Sequence, residues 1–424
     1  MPALRAFIQS LVRSRPTPAG RIAWTNLTAT LLELYPETAP GLIFLDDEKG
    51  KGKAKDLDGP PFSYVMVSLL LVDLRATLPT LLEKLNSPEY RAVSTRLASA
   101  FNILSNFIGY LLRAMDDDIF TLIITPDLLL KIRKNISETM SLTVEYLRDR
   151  WDASVAGAMG LHPDSRDAAV HTTEGSHLAL SWDSKGDNVT EDPLIEAAIM
   201  ALAIWLREDD GEVLRLESTG LMDMFIELYR SSSITTPNPK QIDFRRPILA
   251  ALEGSLSDDT GTEAFITHNG WQVLSDDLIS ILQQSSSSSQ TPTQALIKET
   301  SRGLEIIRIL LPIAEAEHPG PREEWMDLVT KISAIYIPQQ ESPVPTIVVE
   351  FQIAALQLVT SLLANSHSGA QKRYTHSMAA ILGIASQLKA NLESGPEDEG
   401  LLEAVDDVLV TVEGIRSARG KYGW

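Results

Sequence analysis

Apolar residues recur with the helical period along most of this chain. Leu97, Ala100, Phe101, Leu104, Ile108 and Leu111 follow i, i+3, i+4, i+7 spacing and carry it one turn further. Leu221, Met224, Phe225 and Leu228 repeat the pattern, as do Phe351, Ala354, Ala355, Leu358 and Leu362 and, later, Leu401, Val405, Val408 and Val412. Each set is one apolar stripe on one helix, with polar residues left for solvent. Strand-like alternation is nearly absent. From Leu194 to Trp205 the pattern changes, and almost every residue is apolar. A helix apolar all round has to be covered on several sides, so this one is expected as an inner helix between two neighbours.

Helix starts are marked by a capping side chain before a proline, at Ser87-Pro88, Thr125-Pro126 and Asp192-Pro193. Stripes and starts together predict helices over 2–14, 20–35, 62–85, 88–115, 126–150, 191–208, 211–230, 241–255, 270–284, 293–317, 321–336, 346–365, 370–392 and 397–418. Paired, they make about seven units, compatible with the ~40–47-residue period of HEAT and armadillo arrays. The expected fold is therefore all-α, a single armadillo/HEAT-like helical-repeat solenoid over residues 1–424. Four stretches interrupt it: a flexible charged loop at 46–59, a long insertion at 152–190, a Ser/Thr/Pro-rich stretch at 231–240 and a Ser-rich linker at 283–293.

Composition narrows the function. The 424 residues are 44% hydrophobic and 22% charged, with a formal net charge of -20. That balance opposes nucleic acid and anionic membrane surfaces and suits basic protein segments as partners. The charge is uneven: four arginines and no acid precede Glu33, so the first 32 residues carry +4. There is no cysteine, which removes disulfides, thiolate nucleophiles and Cys-based metal sites and fits a reducing compartment. No uninterrupted apolar run reaches the ~18 residues of a membrane span; the best, Tyr64–Val72, is broken by Ser68 and ends at Asp73. Met1–Leu11 lacks the apolar core and cleavage site of a secretory signal. A cytoplasmic location is expected, with the nucleus as a second compartment.

Motifs for catalysis are missing. No G-x-S-x-G, H-E-x-x-H or Walker sequence occurs. His162, His171 and His177 share a stretch with Asp164, Asp167 and Glu174, which would carry a loop-borne enzyme site around 162–177; the irregular spacing favours solvated side chains instead. The chain is read as no enzyme, with no cofactor and no metal. Three tryptophans stand out. Trp205 ends the all-apolar helix and is expected in the core, and with Arg150, Trp151, Trp182, Arg207, Glu208 and Asp209 it makes up the set of candidate protein-binding residues. Trp151, next to Arg150, and Trp182 either pin the 152–190 segment onto the array or help to form a partner site.

Two segments carry a family resemblance. Phe62–Leu78 resembles a helix of neurochondrin-type proteins, and so does Ala201–Asp209 continuing through Arg215-Leu216-Glu217 to Leu221. Tyr146–Leu161 and Ser181–Tyr229 resemble fungal members of unknown function. The resemblance implies an armadillo-like scaffold or regulator that binds other proteins, with no catalytic residues. A dedicated chaperone or transport adaptor for a basic client is the alternative. In the family these motifs lie later in longer chains, which implies a start shortened relative to its relatives. Ile8, Leu11, Trp24 and Leu27 would then be exposed at an uncapped end and could join two copies into a homodimer.

Overall fold

A computed structural model describes residues 2–14, 17–45, 60–85, 87–116, 124–155, 189–208, 211–233, 240–287, 294–317, 319–335, 345–393 and 399–421. The capping signals act as their chemistry dictates. Asp192 accepts a hydrogen bond from the Leu194 N–H at 3.0 Å and so opens the helix that begins at Pro193. Thr17 accepts from Gly20 at 3.2 Å ahead of Pro18, and Asp258 from Gly261 at 2.8 Å. All described secondary structure is helical, as the periodicity predicts.

The chain divides into two compact units, Met1–Ser255 and Leu256–Trp424. In the first, the helices are α1 (Pro2–Arg13), α2 (Pro18–Leu34), α3 (Ala39–Phe44), α4 (Phe62–Leu81), α5 (Glu89–Asp116), α6 (Pro126–Val155), α7 (Pro193–Glu208), α8 (Glu212–Thr219), α9 (Met222–Ser232) and α10 (Arg245–Ser255). They form two rows. One runs α2, α5, α7, α10, each packed on the next; the other runs α4, α6, α8. The all-apolar helix is α7. It lies between α5 and α10 and also touches α6, which is why it can be apolar on every side. Gly254 of α10 permits the close approach: a Cβ there would stand 2.7 Å from Cβ of Leu206 on α7.

The second unit repeats this plan with α11 (Asp259–Thr267), α12 (Gly270–Ser287), α13 (Gln294–Ala316), α14 (Asp327–Ser333), α15 (Thr346–Asn365), α16 (Ser368–Arg373), α17 (Thr375–Glu393) and α18 (Glu399–Lys421). One row is α13, α15, α18 and the other α12, α14, α17. Each unit is thus an all-α helical-repeat array. Trp271 at the start of α12 stacks on Trp325 with centroids 4.1 Å apart and planes 14° from parallel, and Arg322 lies over Trp325.

The sequence reading departs from the structure in several places. It omits the short helices α3 and α11, whose stretches hold too few turns to show a period. It runs one helix through 211–230, where the chain breaks at Gly220 between α8 and α9. Two insertions are shorter than expected. Helix α6 continues to Val155 and a 3-10 turn begins at Val189, so the structure describes only the ends of 152–190; α12 runs to Ser287, with Ser285 buried and bonded to the Leu282 carbonyl at 2.8 Å. Residues 46–59, 156–188 and 288–293 lie outside the described residues.

Two further expectations change. Ile8 and Trp24 are buried, at 1% and 2% exposure, because α1 folds onto α2 and α3; the exposed apolar residues there are Leu4, Phe7 and Ile22. By length and mean hydropathy alone, Phe62–Lys84 and Thr346–Asn365 are long and apolar enough to cross a bilayer. Counting uninterrupted apolar runs misses the first of these because Ser68 and Asp73 interrupt the run without interrupting the helix, and Asp73 is paired with Arg96 of α5. Both helices contribute to the cores, through Met66, Leu70 and Leu74 in one unit and Phe351, Leu358 and Leu362 in the other.

Candidate functional site

The last turns of α6 set Leu142, Glu145, Arg148 and Asp152 along one face by i, i+3, i+4 spacing. Opposite them the chain breaks at Gly220. There the Gly220 and Leu221 N–H groups reach back only three residues, to the Glu217 and Ser218 carbonyls at 3.2 and 3.0 Å. The break leaves the Gly220 carbonyl free to accept from Arg148, and it puts Asp223 in the first turn of α9. Asp223 accepts from Arg148 Nη1 at 2.8 Å and from Trp151 Nε1 at 3.1 Å. Arg148 also pairs with Asp152 at 3.1 Å. Ion pairs and the indole bond thus tie α6 to the start of α9.

A cleft of about 390 Å³ opens beside this anchor, between α6 and the α8–α9 junction. Leu142, Val144 and Leu221 make its apolar wall, and Glu145, Glu217 and Arg148 its charged edge. Glu145 and Glu217 are exposed, and neither has an ion-pair partner among the described residues.

The residues singled out in the sequence are not brought together. Trp151 lies at the anchor, 9% exposed. Arg150 turns the other way and is fully buried. It lies near Tyr146, within a polar cluster that joins three helices of the first unit. The Tyr90 hydroxyl donates to Asp192, and Tyr146 in turn lies 3.2 Å from Tyr90. Burial raises both phenol pKa values above the ordinary range. For Tyr90, Tyr146 and the Asp192 charge add to it; for Tyr146, the Asp192 charge adds while the Tyr90 hydrogen bond and Arg150 oppose it. With every oxygen partnered and Asp192 also capping α7, this cluster braces the core. Trp205 is buried, and its Nε1 has no hydrogen-bond partner among the described residues. Arg207 and Glu208 pair with each other at 3.1 Å at the exposed end of α7.

Trp182, Asp209 and the histidines of 162–177 lie outside the described residues. Among the described residues no three His, Asp or Glu side chains converge as a metal site. Sequence reading missed Arg148 and Asp223. Arg148 is three residues before Trp151 and so shares its face, which was a usable signal; Asp223 becomes a partner only through the turn at Gly220.

The neurochondrin family model matches residues 1–313, which covers the first unit and continues into α13. An uncharacterized protein of Schizosaccharomyces pombe is 24% identical over 232 residues, 54% of this chain and 35% of its own length. The match thus spans about a third of the length of that curated relative. No solved structure matches the chain.

Proposed function

The chain belongs to the neurochondrin family, and on that premise we propose that it acts as a non-catalytic, protein-binding scaffold or regulator. The observation that carries this reading is the braced cleft between α6 and the α8–α9 junction. An apolar wall and an arginine beside open space, the arginine fixed by an aspartate that the buried Trp151 also holds, are elements from which protein interfaces draw affinity. Paired rows of helices offer such surfaces without any moving part. A cytoplasmic or nuclear site of action goes with a chain that has no cysteine.

The test is affinity capture of the tagged full chain from its native cells, read by quantitative mass spectrometry. The Asp223→Ala variant, which removes the acceptor shared by Arg148 and Trp151, runs in parallel. A partner retained by the parent and depleted in the variant supports the reading. Capture of no protein in near-stoichiometric amount would overturn it.

A further inference from the structure

We propose that the α6/α8 cleft takes a basic, amphipathic segment of a partner protein, with cationic side chains at Glu145 and Glu217 and an apolar one on Leu142, over a floor closed by the buried Val144 and Leu221. This names the partner class for the scaffold reading above and rests on it. The charge argument starts from Arg148. Among the described residues it is the one cation lining the cleft, and Asp223, Asp152 and the Gly220 carbonyl already engage it. Glu145 and Glu217 have no such counter-charge among the described residues, so the lining presents net negative charge.

The apolar wall excludes a purely ionic ligand. On α8, the helix that carries Glu217, Val213 and Leu216 stand 70% and 57% exposed and offer further apolar surface. A purely apolar occupant would strip water from two carboxylates without replacing it, which is costly. A nucleic acid or an anionic headgroup would bring like charge to Glu145 and Glu217. A second copy would bring -20 against -20. A segment with Arg or Lys beside Leu or Phe meets both demands and gains on-rate from the field of the whole chain.

The probe is a fluorescein-labelled amphipathic peptide of Arg and Leu, read by anisotropy with the full-length chain. Two control peptides replace Arg by Glu or Leu by Ser. The Arg/Leu peptide is expected to bind, less tightly as salt rises, and both controls at least about tenfold more weakly. Glu145→Gln with Glu217→Gln should also weaken binding about tenfold, while Glu403→Gln with Glu413→Gln, the same charge loss on exposed α18 positions, should leave it within about twofold. All four are exposed, isosteric changes, and circular dichroism checks that the fold is kept. Equal weakening by the two double variants, undiminished binding of the Leu-to-Ser peptide, or no binding overturns the proposal. A captured cellular partner indifferent to Glu145 and Glu217 overturns it too and leaves the scaffold reading standing; capture of no partner removes both.

Discussion

Arg148 with Asp223 in the first unit and Arg302 with Asp277 in the second are the same chemical pair in different solvents. The first pair is 41% and 30% exposed and shares its carboxylate with Trp151. The second is 4% and 7% exposed and bidentate, with Nε and Nη2 of Arg302 each 3.0 Å from an Asp277 oxygen. Water screens the first, so its worth to stability is small. Protein surrounds the second, so each charge depends on the other. The pair that matters most for stability is thus the one least able to take part in binding.

The largest expected effect is at the buried pair. Asp277→Ala takes the bidentate partner from Arg302 in the core between α12 and α13, leaving it the Glu299 carboxylate at 2.5 Å, and should cost about 3 kcal/mol, seen as a large fall in the urea midpoint. A loss no greater than that of an exposed pair would break the comparison. Next come two of the helix contacts that depend on glycine. A Cβ on Gly303 would fall 2.3 Å from the buried Phe351 ring, and one on Gly254 2.7 Å from Leu206. Gly303→Ala and Gly254→Ala should each destabilise by about 1–3 kcal/mol through overpacking. The loss at Gly303 should appear in the second unit's transition and that at Gly254 in the first's, which hydrogen exchange can separate.

Smaller effects belong to the polar cluster. Tyr146→Phe removes one buried hydrogen bond, worth about 1 kcal/mol. It also has a pH signature. Folding raises the pKa of Tyr90 and Tyr146, so above the unfolded value near ~10 the folded state holds protons that the unfolded state releases. Their contribution is full below that pH and declines as pH rises beyond it. The Tyr146→Phe variant should therefore show a flatter alkaline limb in denaturant midpoint against pH. The smallest change is Arg148→Ala, about 0.2–1 kcal/mol in stability. A thermal shift like that of Asp277→Ala would show that Arg148 is structural and not part of a binding edge.

The helices were legible because their signals are local. A stripe such as Leu97 to Leu111 or a start such as Asp192-Pro193 is written within a few turns, and the all-apolar α7 even announced that it had neighbours on several sides. Trp151 was legible as an anchor candidate by its type alone. Its neighbour Arg150 was equally conspicuous, yet it is buried. One residue along a helix turns the side chain by about 100°, and which side faces the core depends on the partners of α6.

Local patterns were enough for a helical fold, most helix boundaries, the acidity and the likeness to a family. Periodicity, capping and composition act over a few residues or over the whole chain, and both are written in the order of amino acids. Packing between helices is what brings Arg148 to Asp223 across 75 residues of chain, buries Asp277 with Arg302 and sets Glu145 and Glu217 along one cleft. Those meetings depend on the register at which one helix packs on another. Register is set by the summed fit of many side chains, such as Gly254 against Leu206 and Gly303 against Phe351, and no single stretch of sequence contains it.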